Sequence, residues 1–222
     1  NPGHVYGQLE GIATREPAFG LEAVWIEPSQ RDQARTLGYT VVDAATAIST
    51  HLNKVLRENA SDLLSHDETQ QLLDKLAAKS PKIVEDLVPG KLSLGILTRT
   101  LQNLLQESVS IRDMRTIAEA LTEASTRTQD PEQLTAMVRP KLGRMIMQSL
   151  IDGDNGLQVM TLEPSLEQLL HNVLQQSQPG QAVVMEPGLS ENLFAGLREG
   201  ARTVEDMGHP AVLVVSPVIR GW

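Results

Sequence analysis

The sequence has 222 residues, of which 41% are hydrophobic and 21% are charged. These proportions exclude a wholly disordered or collagen-like chain, and the length corresponds to one large domain or two small ones. Nineteen basic against twenty-eight acidic residues give a net charge of −9, which repels phosphate backbones, so nucleic acid is not an expected partner. Without cysteine the chain has no disulfide or thiolate ligand, which suits a reducing compartment.

The ends of the chain indicate a fragment. No apolar run reaches the roughly 18 residues that cross a bilayer, and no basic segment precedes an apolar one as in a signal peptide. The chain starts at Asn1 instead of a methionine and stops shortly after the strand-like run from Val212 to Val215. Since a sheet domain normally continues beyond such a run, we expect a longer parent protein.

The first forty residues predict a small α/β unit. Two runs of β-forming residues, Val24 to Ile26 and Tyr39 to Val42, flank a segment that opens with Pro28. Proline is favoured in the first turn of a helix, so the predicted order is strand, helix, strand. These strands are too few to cover both faces of the helix, and we therefore expect the unit to be incomplete.

A series of amphipathic helices is predicted after Asp43, because apolar residues then recur at helical spacing. Most of these helices begin at a residue type that caps helix N-termini. The predicted starts are Ser65 with Glu68, Ser80 before Pro81, Ser93, Ser110 with Asp113, and Asp130 with Pro131 and Gln133. Pro140 lies inside the last helix, where its ring and missing N–H predict a bend.

The residues after Gly156 predict a return to α/β structure. Leu157 to Leu162 alternates like a half-buried strand, and helices are expected from Pro164 and Leu189. The all-apolar run from Val212 to Val215 is typical of a strand covered on both faces. Residues 152–156 predict a tight turn; a calcium loop is the alternative, but Val and Met occupy the intervening ligand positions.

These patterns together predict a mixed α+β protein with several subdomains. A central helical part is flanked by a partial α/β unit at the N-terminus and a truncated α/β subdomain at the C-terminus. No repeat of fixed period is evident in the sequence, which disfavours a solenoid.

No motif indicates catalysis, a cofactor or a metal. The five histidines lack the spacing of zinc ligands, and the sequence contains neither a phosphate-binding glycine loop nor a nucleophile elbow. His66, Asp67 and Glu68 form the densest titratable cluster. Adjacent residues on a helix point apart, however, and Glu68 is explained as the partner of the Ser65 cap. We therefore expect no cofactor and no metal.

Two helix junctions place apolar side chains beside small residues. One runs from Ser61 to Ser65 and the other from Leu92 to Leu97. Such junctions can form shallow apolar hollows that receive a helix or peptide of a partner. The alternative is that Leu64 and Leu94 are ordinary core residues.

A series of short segments between residues 15 and 150 matches a known family. The segments are R-E-P-A-F-G-L (15–21), V-W-I (24–26), G-Y-T-V-V-D (38–43), T-H-L (50–52), E-T-Q-Q-L-L-D (68–74), E-D-L-V-P (85–89), L-Q-N-L-L (101–105), S-I-R-D-M-R-T-I (110–117) and V-R-x-x-L-G-R (138–144). In this order they resemble the type III export-gate family. The flagellar branch fits segments 17–21 and 38–42 better, and the virulence branch is the alternative.

The resemblance implies the cytoplasmic part of a bacterial inner-membrane protein, with four subdomains, that assembles into a homo-nonameric ring. It implies a platform that docks flagellar export chaperones with bound substrates and works with the export ATPase complex and a switch protein. The implied boundaries are 1–39 for the end of the first subdomain, 40–88 for a mainly helical second, 89–108 for a helix returning to the first, 109–155 for a helical third, and 156–222 for a truncated α/β fourth.

The resemblance also implies a chaperone-docking site. By alignment this site maps onto Asp62, Leu64 and Gly95, with Ser93 and Leu94 beside them. Leu64 stands where some members carry an aromatic residue, and Gly95 replaces a threonine. The expected role is binding; the distant alternative is an enzyme that uses His66 and Asp62 as an acid–base pair.

Overall fold

The structure is a computed structural model that describes residues 5–151, 156–176 and 186–220. These residues are mainly helical and include two small two-stranded sheets, so the predicted mixed α+β class is confirmed. The backbone separates into two units, Asn1–Ser65 and His66–Trp222.

The first unit opens with a β-hairpin. Strand β1 (Ile12–Arg15) pairs antiparallel with β2 (Glu22–Trp25). The connecting loop is held by Glu16, whose carboxylate accepts the backbone N–H of Ala18 at 2.8 Å and that of Phe19 at 2.6 Å. The strand around residues 24–26 was predicted, whereas its partner β1 was not.

The second strand predicted for this unit, Tyr39 to Val42, is wrong. The chain forms a 3-10 turn (Pro28–Gln30) and helix α1 (Arg31–Thr36) as expected, and then passes through residues 39–43 without strand pairing. The N–H of Tyr39 donates to the carbonyl of Ala34 at 3.1 Å and so closes the end of α1. The observed order is strand, strand, helix, because β2 pairs with the adjacent β1.

Two further helices complete the first unit. Helix α2 (Ala44–Glu58) begins where the sequence predicts, and the carboxylate of Asp43 caps it by accepting the N–H of Thr46 at 2.7 Å. This bond satisfies one of the donors that a first helical turn leaves open. Helix α3 (Ala60–Leu63) follows as a short turn of helix.

The second unit begins with a bundle of helices in residues 66–150, called the helical body below. These helices are α4 (His66–Ala77), α5 (Pro81–Leu87), α6 (Leu94–Gln106), α7 (Met114–Ala124), α8 (Pro131–Val138) and α9 (Gly143–Leu150). Two of the predicted caps are confirmed. Ser93 Oγ accepts the N–H of Ile96 at 3.2 Å, and Asp130 Oδ1 accepts that of Glu132 at 2.7 Å.

The predicted start at Ser110 is wrong by one turn. Helix α7 begins at Met114, and Asp113 caps it by accepting the N–H of Thr116 at 3.1 Å. Ser110 lies before the helix, where its hydroxyl accepts the N–H of Arg112 at 3.3 Å. Serine and aspartate are both good caps, and their spacing cannot decide which one starts the helix.

Pro140 interrupts the predicted last helix of the body. Helix α8 ends at Val138, a 3-10 turn covers Arg139–Leu142, and α9 starts at Gly143. The predicted distortion at Pro140 is confirmed as a break between two helices. The cause is the proline ring, which removes one N–H donor and clashes with the preceding turn of an α-helix.

The core of the helical body is aliphatic. Helix α6 packs against α4 and α8, while α7 packs against α5 and α8. The largest fully buried side chains are Leu73, Leu87, Leu92, Leu97, Leu101, Leu104, Ile117, Leu121, Leu134, Val138 and Leu142. Burying one such side chain stabilises a fold by roughly 1.5–3 kcal/mol before entropy is counted. The helices therefore hold one another in place through these residues.

The second unit ends with an α/β segment, residues 156–220, called the C-terminal part below. It contains β3 (Met160–Thr161), α10 (Pro164–Gln176), α11 (Pro187–Asp206), β4 (Leu213–Val214) and α12 (Pro217–Arg220). Strands β3 and β4 pair in parallel, and α10 packs on α12. Both predicted helices and both strand positions are observed, although each strand is only two residues long.

The prediction that β4 is covered on both faces is wrong. Leu213 is 36% exposed and Val214 is 48% exposed, because the sheet in the described residues stops at two strands. The turn predicted at residues 152–156 falls largely outside the described residues.

Candidate functional site

The five predicted docking residues are divided between the two units. Asp62 lies on α3 in the first unit and is exposed, and its carboxylate accepts the hydroxyl of Ser61 at 3.4 Å. Leu64 follows α3 and is buried, with 7% of its surface exposed. Ser93, Leu94 and Gly95 belong to the second unit.

An exposed leucine next to Leu64 was not predicted. Leu63, the last residue of α3, is 57% exposed. The backbone leaves the helix and becomes extended at Leu64, with φ −88° and ψ 97°. Leu63 lies at the surface directly beside the buried Leu64. Apolar spacing alone cannot show which of two adjacent leucines faces solvent.

The start of α6 forms the second half of the predicted site. Ser93 is exposed and caps the helix, Leu94 is half-buried, and Gly95 is exposed in the first turn. Glycine is a poor helix former, but a first turn that is fixed by a cap tolerates it. The cap therefore lets the chain expose backbone at Gly95 without losing the helix.

A buried pair of hydroxyls holds the starts of α4 and α6 together. Thr98 Oγ1 lies 3.1 Å from Thr69 Oγ1 and 2.9 Å from the carbonyl oxygen of Leu94, to which it donates. Buried hydroxyls that lose their partners are costly, so this chain of contacts fixes the relative position of the two helix starts.

The two helix starts come close together at the exposed Gly95. A methyl group placed on Gly95 would lie 3.5 Å from Nε2 of His66 and 3.9 Å from Oγ of Ser93. These are ordinary van der Waals distances, so one added carbon fits beside the two side chains. We call His66, Ser93, Leu94 and Gly95 the α4–α6 corner.

The sequence analysis named His66 as half of a possible acid–base pair and did not place it at the docking site. The hypothesis of an enzyme paired His66 with Asp62, but Asp62 belongs to the first unit and His66 opens the first helix of the second. The structure places His66 beside Gly95, which is 29 positions away in the sequence. Only the packing of α4 on α6 creates this neighbourhood, and no sequence motif signals it.

Three residues with a shifted pKa, Asp43, Arg139 and Glu163, lie away from the corner. The backbone N–H of Thr46 lowers the pKa of Asp43, and the hydroxyl of Ser165 lowers the pKa of Glu163. Burial is the main cause that lowers the pKa of Arg139. The first two are carboxylates at helix starts, which is a structural role.

The described residues offer no alternative metal centre. Across residues 5–151, 156–176 and 186–220, no group of three His, Asp or Glu side chains is arranged to hold a metal ion. Over the same ranges no helix is both long enough and apolar enough to cross a bilayer.

A separate cavity of 440 Å³ lies in the C-terminal part, lined mainly by Met160, Leu166, Leu193, Leu197, Gly200 and Leu213.

The sequence matches the model of the FHIPEP family over residues 1–222. It is 48% identical to the flagellar biosynthesis protein FlhA of Yersinia enterocolitica over 220 residues, which are 99% of this chain and 31% of that protein. FlhA of Escherichia coli K12 is 47% identical over the same shares of both chains. The chain thus spans under a third of the length of these curated relatives.

Solved structures share the fold. The Chlamydia pneumoniae CdsV protein superimposes with a TM-score of 0.76 at 21% identity, covering 97% of this chain and 66% of that chain. The nonameric EPEC SctV-C superimposes with a TM-score of 0.68 at 24% identity, covering 98% of this chain and 72% of that chain. At these identities the likeness establishes the architecture alone.

Proposed function

Because this chain belongs to the FHIPEP family, we propose that it is a docking platform of the flagellar type III export gate, which binds export chaperones with their substrates. The membership confirms the resemblance predicted from the motifs at residues 15–150. The relatives at 46–48% identity are flagellar biosynthesis proteins. This supports the flagellar role over the virulence alternative.

The observation that carries the docking proposal is the exposed glycine at the α4–α6 corner. Exposed backbone at Gly95 lies between His66 and Ser93, with the half-buried Leu94 beside it. An apolar side chain of a visiting helix or peptide can pack closely against backbone that no side chain covers. Burying about 150 Å² of apolar surface would be worth roughly 4 kcal/mol before the costs of ordering are subtracted.

The first unit contributes the other predicted docking residues. Asp62 offers an exposed negative charge that would orient a basic group of the chaperone complex. Leu64 is buried, so its role in docking is to support α3, and Leu63 supplies the exposed apolar surface. The docking surface proposed for this unit is therefore Asp62 with Leu63.

The assembly and its setting belong to the same proposal. One solved neighbour is nonameric and another is a complex of CdsV with CdsO. We extend a ring to this chain, together with contacts to the export ATPase complex and the switch protein. In this proposal the chain is the cytoplasmic part of an inner-membrane protein, has the subdomain boundaries stated above, and acts by binding without catalysing a reaction.

The proposal is tested by measuring the affinity of a flagellar chaperone–substrate complex for the chain. Gly95→Leu covers the exposed backbone with a bulky side chain, and we expect it to weaken binding about tenfold or more. The matched control is Gly95→Ala, which adds the one carbon that fits and should keep the affinity within about twofold. Isothermal titration calorimetry on both variants and the unmodified chain provides the comparison.

Two results would count against the proposal in different ways. If the unmodified chain and both variants bind the complex equally well, docking occurs but the α4–α6 corner is the wrong place. If the unmodified chain binds no chaperone–substrate complex while retaining its helical circular dichroism spectrum, the docking function itself is wrong.

A further inference from the structure

One carboxylate in the second unit binds two arginines from distant parts of the sequence. Glu107 follows the last residue of α6. Its Oε2 atom lies 2.7 Å from Nη1 of Arg139 and 2.5 Å from Nη2 of Arg220, and its Oε1 atom lies 3.3 Å from Nη1 of Arg220. Arg139 is 32 positions away in the sequence and Arg220 is 113 positions away.

The cluster carries more positive than negative charge. Two guanidinium groups and one carboxylate leave a surplus of one positive charge. Burial lowers the pKa of Arg139, the charge of Arg220 lowers it further, and Glu107 opposes both effects. The two arginines therefore repel each other, and Glu107 is the charge that allows them to share the site.

Glu107, Arg139 and Arg220 lie at the ends of three different structural elements. Arg139 starts the 3-10 turn after α8, and Arg220 ends α12 in the C-terminal part. The principal packing of α12 is against α10, within the C-terminal part itself. The contact between Arg220 and Glu107 thus ties the end of the C-terminal part to the helical body.

We propose that Glu107 is an electrostatic latch that holds α12, and with it β4, on the helical body. The latch can open because its side chains remain partly exposed to solvent. The exposed fraction is 32% for Glu107, 21% for Arg139 and 33% for Arg220. The Debye length is about 10 Å at 0.1 M salt and about 3 Å at 1 M, so contacts of 2.5–3.3 Å are screened appreciably only near molar salt. Molar salt therefore loosens the C-terminal part before it loosens the uncharged leucine core.

The latch predicts an unusual pattern for combined substitutions. Glu107→Gln leaves Arg139 facing Arg220 without a counter-charge, so repulsion adds to the lost attraction. Adding Arg139→Gln removes that repulsion. The double variant is therefore expected to hold α12 better than the single variant does, although it lacks two of the three charged groups.

Hydrogen–deuterium exchange of the full 222-residue chain, read by mass spectrometry on peptides covering residues 213–220, tests the latch. We expect Glu107→Gln to speed exchange there about tenfold, and Arg220→Gln or the Glu107→Gln/Arg139→Gln double variant to speed it only about threefold to fivefold. The control is Arg115→Gln, which removes an exposed pair with Glu119 and should leave these peptides unchanged.

The core of the helical body provides the check on folding. Peptides covering residues 97–104 should exchange alike in all four variants and in the unmodified chain, since the fully buried Leu97, Leu101 and Leu104 hold that segment. Equal exchange of residues 213–220 in Glu107→Gln, Arg220→Gln and the unmodified chain would overturn the proposal. A double variant that exchanges faster than Glu107→Gln would also overturn it, because repulsion between the arginines would then be absent.

Discussion

The helical body and the C-terminal part differ in how they are held together. In the helical body, fully buried leucines come from α4, α6, α7 and α8, whereas the buried apolar residues described in the C-terminal part are Leu170 and Ile219. The body therefore depends on a shared aliphatic core. The C-terminal part depends more on short strands and on the polar contact at Glu107.

This difference shows which parts of a fold a local sequence can specify. A helix carries its cap and its apolar stripe within about a dozen residues, so its partners need only offer a matching surface. A strand needs neighbouring strands that the local sequence does not contain. The helical body is specified mainly by its own segments, and the C-terminal part by contacts between distant ones.

The largest expected effect separates the two regions directly. Leu101→Ala opens a cavity in the core, and we expect it to lower the free energy of unfolding by about 3 kcal/mol. Leu169→Ala in α10 removes a side chain that is 42% exposed, and we expect it to cost less than about 1 kcal/mol. Urea denaturation followed by circular dichroism measures both. Similar losses in the two variants would remove the distinction between the regions.

A smaller effect concerns the local signals that start the helices. Asp130 accepts two N–H groups at the start of α8, so Asp130→Ala should lower the free energy of unfolding by about 1 kcal/mol. Asp130→Asn keeps an acceptor and should stay within a few tenths of a kcal/mol of the unmodified chain. If the alanine and asparagine variants unfold at the same urea concentration, the cap at Asp130 is not what stabilises the start of α8.

The smallest effect lies at the start of α10 in the C-terminal part. The Ser165 hydroxyl and the N–H groups of Ser165 and Leu166 lower the pKa of Glu163 from its ordinary value of 4.5. Because the folded pKa is below the unfolded one, this contribution to stability is complete above pH 4.5 and disappears as the pH falls through the folded pKa. Ser165→Ala should raise the pKa of Glu163 toward 4.5 in an NMR titration of its carboxyl carbon. An unchanged pKa would show that the hydroxyl has no part in it.

Much of the fold was predictable because its signals are local. The caps at Ser93 and Asp130, the start of a helix after Asp43 and the distortion at Pro140 follow from residue type and spacing. Errors arose where a partner decides the outcome. Tyr39 to Val42 has strand-forming residues, but the backbone N–H of Tyr39 closes α1. Strand β4 has the composition of a buried strand, yet it has one neighbouring strand among the residues that the structure describes.

The candidate site was predictable in part for the same reason. The exposed cap at Ser93 and the glycine that follows it belong to one helix start, which the sequence shows. The position of His66 beside Gly95 depends on the Thr69–Thr98 contact between two helices. Leu63 is exposed beside the buried Leu64, and apolar spacing in the sequence predicts neither this difference nor the position of His66.

The most direct test of the docking account is the footprint of a flagellar chaperone–substrate complex on the chain. Hydrogen–deuterium exchange would be compared with and without a saturating amount of the complex. The account predicts slower exchange by about tenfold or more at residues 93–96, with slower exchange also at residues 61–64. Protection confined to residues 160–166 and 193–213, which hold the cavity of the C-terminal part, with no change at 93–96, would contradict it.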